Sequence, residues 1–136
     1  MAHDPRRLER AERLMRVQAQ MRRAAETELV QTRDRAAALE AERAALLGAL
    51  GAGQFGHLLL GAANRRLQGL AAQAHAVAGE IERQAEHLRE RGLAEKRSEA
   101  LVERAAAAQA REHERREILD RLDGLSQRRP GDASLP

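Results

Sequence analysis

The chain contains no cysteine, tryptophan or tyrosine, and Phe55 is its one aromatic residue. Without cysteine there can be no disulfide and no thiolate metal site, which fits a reducing compartment. Without large rings there is little with which to anchor the layered core that a domain of 136 residues ordinarily builds. Lysine is nearly missing too: of 24 basic residues only Lys96 is lysine. No apolar run approaches the roughly 18 to 20 residues needed to span a bilayer. The opening Met1-Ala-His-Asp-Pro5 and the arginines after it carry no apolar stretch of the kind a signal peptide requires. These absences point to a soluble cytoplasmic protein.

What is present is alanine, leucine, arginine, glutamate and glutamine, with 33% of all residues charged. That is the composition of long helices and coiled coils. Apolar residues recur at steps of three and four along two stretches. The first carries Leu14, Val17, Met21, Ala25, Leu29, Thr32, Ala36, Leu39, Leu46 and Leu50. Two steps of four, from Met21 to Ala25 to Leu29, predict a local unwinding of the supercoil. The second stretch carries Leu60, Ala63, Leu67, Leu70, Ala74, Val77, Ile81 and Leu88. It then weakens through Arg91, Glu95 and Ser98 around Gly92, and resumes at Leu101 or Val102, Ala105 and Ala108.

Between the stretches stand Gly48, Gly51, Gly53 and Gly56, where a helix must stop and turn back. The pattern predicts an all-α fold: a long antiparallel two-helix coiled-coil hairpin with an overhanging C-terminal helix. Its parts are a helix over about residues 5–50, a turn over 51–56, a helix over 57–128 and a tail over 129–136. Asp4-Pro5 is a helix start, since aspartate accepts from the first free N–H groups and proline suits the first helical position. Pro130-Gly131 is a helix stop. Folding about residue 54 sets Pro5 across from residue 103, so residues 104–128 project past the first helix. The apolar positions there, Ile118, Leu119, Leu122 and Leu125, would lack an intramolecular partner.

No motif in the chain carries catalytic chemistry. Gly51-Ala-Gly-Gln-Phe-Gly56 has the letters of a dinucleotide-binding fingerprint, but that chemistry needs a strand before the glycines. The segment reads as a turn, with Phe55 capping its tip. His3, His57, His75, His87 and His113 lack metal-ligand spacing and read as solvated surface histidines. The acidic residues are scattered, so no paired-carboxylate site can be built. We expect no enzyme activity, no cofactor and no metal.

Arginine density is the stronger signal. From Pro5 to Arg23 there are seven arginines against Glu9 and Glu12, a local net charge of +5. Glu9–Arg13 and Glu12–Arg16 pairs would neutralise part of it. The excess makes an electropositive end suited to an acidic surface or a phosphate backbone. Missing aromatics disfavour nucleic acid, since stacking has no platform. The stretch from Arg111 to Leu125 is balanced in charge and amphipathic, which suits a protein partner.

Two segments carry a family resemblance. Arg6-Arg-Leu-Glu-Arg10 with Leu14-Met-Arg-Val17, and Glu112-His-Glu-Arg-Arg-Glu-Ile-Leu-Asp-Arg-Leu-Asp123, resemble the two ends of the FliJ-like family. These are the small coiled-coil stalk proteins of bacterial flagellar and related type III export machines. Length and hairpin layout fit across nearly the whole chain. The departures are Arg116, where the family usually carries lysine, and the split Asp120 and Asp123 in place of a double-acid step.

The resemblance implies a two-helix rod whose terminal end inserts into the hexameric export ATPase. Its body would contact the membrane-embedded export gate and export chaperones, placing it at the cytoplasmic face of the inner membrane through its partners. The inserted end would comprise Arg6, Arg7, Arg10, Arg13, Arg16, Arg111, Arg115, Ile118, Leu119 and Leu122. A rival reading is a scaffold or adaptor that self-associates through its C-terminal stripe.

Overall fold

The structure, a computed structural model, describes residues 3–53 and 56–128, with Leu58 described by its backbone alone. It is all-helical, without a strand among the described residues. Two long helices, α1 (Arg7–Gly51) and α2 (His57–Gln127), pack against each other. The expected tail and Phe55 lie outside the described residues. The chain divides into two compact units. One draws on Met1–Gln18 and Glu95–Pro136, the other on Ala19–Ala94.

In the Ala19–Ala94 unit the core is thin. Ala25, Leu29, Ala63, Leu70 and Val77 are buried, with Leu70 only 1% exposed. Thr32 is buried beside them, its hydroxyl donating to the Glu28 carbonyl at 3.0 Å, so no orphaned polar group results. Two ion pairs cross from helix to helix. Arg35 meets Glu80 at 2.5 Å, and the Arg66 Nε donates to Glu42 at 2.9 Å. Both are exposed, so each contributes at most about 1 kcal/mol; apolar burial holds the unit together. At the end of α1 the chain turns on Gly53, whose φ of 70° is left-handed and natural only to glycine.

In the other unit, Asp4 starts α1 as expected. Its Oδ1 accepts from the Arg6 N–H at 2.9 Å, and its carboxylate also pairs with Arg10. Ala105 and Ser98 are buried, and the Ser98 hydroxyl donates to the Glu95 carbonyl at 2.7 Å.

The apolar seam differs from the sequence expectation at the start of α1. Leu14, Val17 and Met21 are exposed, whereas Leu8, Ala11, Met15, Gln18 and Arg22 are half-buried. The seam therefore runs 8, 11, 15, 18, 22, 25, 29 and 32 in unbroken steps of three and four, without the predicted stutter. Gln18 and Arg22 can occupy the seam because their stems are apolar and their heads reach outward. In α2 the predicted weak stretch stays in phase as well, with Arg91 and Glu95 half-buried. Leu60 and Ala74 are exposed instead of lying in the seam.

The pairing at the N-terminal end is also displaced. His3, Pro5 and Leu8 share a recess with Ala106, Gln109 and Glu112, so Pro5 lies one heptad further along α2 than residue 103. The segment left without α1 beside it starts near residue 117 rather than 104. A seven-residue slip keeps every seam position in phase, so periodicity could not distinguish the two registers.

Gly92 lies inside α2, and a Cβ built there meets no atom within 4 Å. Gly92→Ala should raise stability by about 0.5–1 kcal/mol, since only the helix penalty of glycine is removed. Thermal melting by circular dichroism checks this; an unchanged or lower midpoint would contradict it.

Candidate functional site

The candidate site lies wholly in the unit that joins the start of α1 to the end of α2. It takes Arg6, just ahead of α1, and Arg7, Arg10, Arg13 and Arg16 from α1, all exposed. The expected Glu9–Arg13 and Glu12–Arg16 pairs do not form; Arg10 pairs with Asp4 instead. Exposed side chains gain little from an ion pair in water and lose rotamer freedom in making it. The guanidiniums of Arg6, Arg7, Arg13 and Arg16 are thus left available to an acidic partner.

From α2 come Arg111 and Arg115. The fold brings them to Arg7: these three, with Asp4, Ala108 and Glu112, line one open recess of about 370 Å³. Arg6, Arg13 and Arg16 are not drawn into it.

Glu112 organises the α2 side of the recess. It accepts from Arg115 Nη2 at 3.0 Å and lies 3.4 Å from Arg116 Nε. The Arg115 hydrogen bond, reinforced by the nearby charges of Arg115, Arg116 and His3, holds its carboxyl below the usual range against an opposing effect of burial. A carboxyl lowered on folding stabilises the fold fully above its unfolded value. That stabilisation disappears as pH falls through the folded value. We expect a side-chain NMR titration to put Glu112 below the other glutamates, and Glu112→Gln to flatten the acid limb of the stability curve. A titration indistinguishable from theirs would contradict this. Only Glu112's partners on α2 were foreseeable from sequence; its approach to His3 depends on the register.

Past the recess, every residue from His113 to Arg128 is exposed. Ile118, Leu119, Leu122 and Leu125 are between 46% and 62% exposed, on a helix that runs to Gln127. His113 sits 3.2 Å from Glu117, and His57, His75 and His87 are exposed. His3, expected to be a solvated helix-surface residue, is instead half-buried ahead of α1, against Glu112. Among the described residues no three His, Cys, Asp or Glu side chains come close enough to hold a metal ion. No described helix is long and apolar enough to cross a membrane.

No protein-family model matches the chain, and no curated protein or solved structure shows significant similarity to it. Function has to be argued from the surface just described. What it offers chemically is a set of unneutralised guanidiniums on α1 and a row of aliphatic side chains on α2 in water.

Proposed function

We propose that the chain is a long antiparallel coiled-coil hairpin serving as a non-catalytic stalk in the bacterial flagellar, or type III, protein export apparatus. In this reading its terminal end enters the export ATPase ring. Arg6, Arg7, Arg10, Arg13 and Arg16 face acidic loops there, with Arg111 and Arg115 beside them. Ile118, Leu119 and Leu122 meet an apolar sleeve. The body of the hairpin contacts the export gate and chaperones at the cytoplasmic face of the membrane.

The observation that carries the reading is the exposed stripe of Ile118, Leu119 and Leu122 beyond the last seam contact. Four large aliphatic side chains on one short helical segment, counting Leu125, are costly to leave in water and favour a partner. The resemblance of both chain ends to the FliJ-like family supplies the identity of that partner. A stalk of this kind acts by binding one arrangement of the ring better than the others, which is the only way a ligand shifts such an equilibrium.

The test is the ATPase rate of the host's export ATPase with and without the chain in excess, read together with size-exclusion elution. Stimulation with co-elution at ring size is the expected result. The absence of both stimulation and co-elution would overturn it, and concentration-dependent dimerisation in sedimentation equilibrium would then favour the self-associating scaffold.

A further inference from the structure

The two flanks of the seam in this unit differ in charge in a way that the net charge of +3 conceals. The seam in α1 passes through Leu8, Ala11, Met15 and Gln18. In α2 it passes through Ser98, Val102, Ala105 and Glu112, and its steps continue to residue 126. The residue immediately before each seam position lies on one flank, and the residue immediately after lies on the other.

On the preceding flank the charged residues are Arg7, Arg10, Arg97, Arg104, Arg111 and Arg115, all exposed. Interleaved with them are Leu14, Val17, Leu101, Ile118, Leu122 and Leu125, each at least 39% exposed. No aspartate or glutamate occupies this flank. Carboxylates gather on the following flank, at Glu9, Glu12, Glu99, Glu103, Glu117 and Asp120, with Arg16 its one arginine. The recess holding Arg7 with Ala108, Arg111 and Arg115 shows that the preceding flanks of the two helices meet; Asp4, ahead of α1, and the seam residue Glu112 also line it and pair with Arg10 and Arg115. The recess holding Pro5 with Ala106, Ala110 and His113 does the same for the following flanks.

We propose that this acid-free flank is a docking surface for an acidic amphipathic helix of a partner protein, laid along it as a third helix. Aliphatic side chains one turn apart supply the ridge that a partner helix packs against. Arginines in the intervening turns reach carboxylates on its edges, and their forked geometry matches carboxylate in two-point contacts. A lipid surface fits less well, because the aliphatic residues form a narrow interrupted stripe without interfacial aromatics rather than a broad apolar face. The proposal does not depend on the stalk reading, and its test uses Arg97, Leu101 and Arg104, none of which belongs to the proposed ring contact.

The experiment measures fluorescence anisotropy of the full chain against a labelled, lactam-stapled peptide with leucine at heptad core positions and glutamate flanking them. A scrambled peptide of the same composition and phosphatidylglycerol vesicles are run beside it. We expect the amphipathic peptide to bind at least about tenfold more tightly than the scrambled one. The variant Arg97→Ser, Leu101→Ser, Arg104→Ser should weaken binding about tenfold. The off-flank variant Lys96→Ser, Ala106→Ser, Arg121→Ser should change it less than about threefold. All six positions are exposed, so both variants are expected to stay helical, which circular dichroism checks. Equal binding of the scrambled peptide, equal loss in the two variants, or binding to vesicles but not to peptide would each overturn the proposal.

Discussion

Leu70→Asp should unfold the Ala19–Ala94 unit, with most of its helical circular dichroism lost at room temperature. Leu70 is the most completely buried large side chain described, and few other apolar residues of its unit are buried. Truncating such a leucine ordinarily costs about 2–5 kcal/mol, and placing a carboxylate there adds the penalty of an unpaired buried charge. A whole domain is stable by only about 5–15 kcal/mol, and a seam with so few buried side chains is expected near the low end. The control is Leu59→Asp, on the first turn of α2, where the leucine is 52% exposed. It should shift stability by no more than about 0.5 kcal/mol. Equal effects of the two substitutions would mean that α1 and α2 do not pack through Leu70.

Leu119→Asp should have the opposite profile: helicity nearly intact, with association to the export ATPase ring and stimulation of its activity abolished. The side chain is 46% exposed and lies past the last residue of α2 that α1 covers, so its loss removes no internal packing. In a ring sleeve the same aspartate would be a desolvated charge without a partner, a change that commonly removes several kcal/mol of binding. Unchanged co-elution would mean that this stripe is not the inserted end. Loss of helicity would mean that the segment packs against its own chain. A selective loss of ring binding is the one result that supports the stalk.

These contrasts trace back to a division between local and tertiary information. Local sequence was enough to give two long helices, to start the first at Asp4 and to end it at the glycines near residue 51. Those outcomes follow from propensity, capping and backbone freedom, which act within a few residues. It also determined that Ile118, Leu119 and Leu122 carry more apolar surface than a solvated helix needs.

The seam at the start of α1 and the register at the chain ends depended on packing between helices. Leu14, Val17 and Met21 are the more hydrophobic choice, yet they are exposed while Leu8, Met15, Gln18 and Arg22 are half-buried. Long polar side chains tolerate the seam through their apolar stems. A heptad pattern is unchanged by a seven-residue slip, so Arg7 could not be placed beside Arg111 and Arg115 from periodicity. The acid-free flank was invisible for the same reason: it exists only once the buried position on each helix is known and the two flanks are brought together.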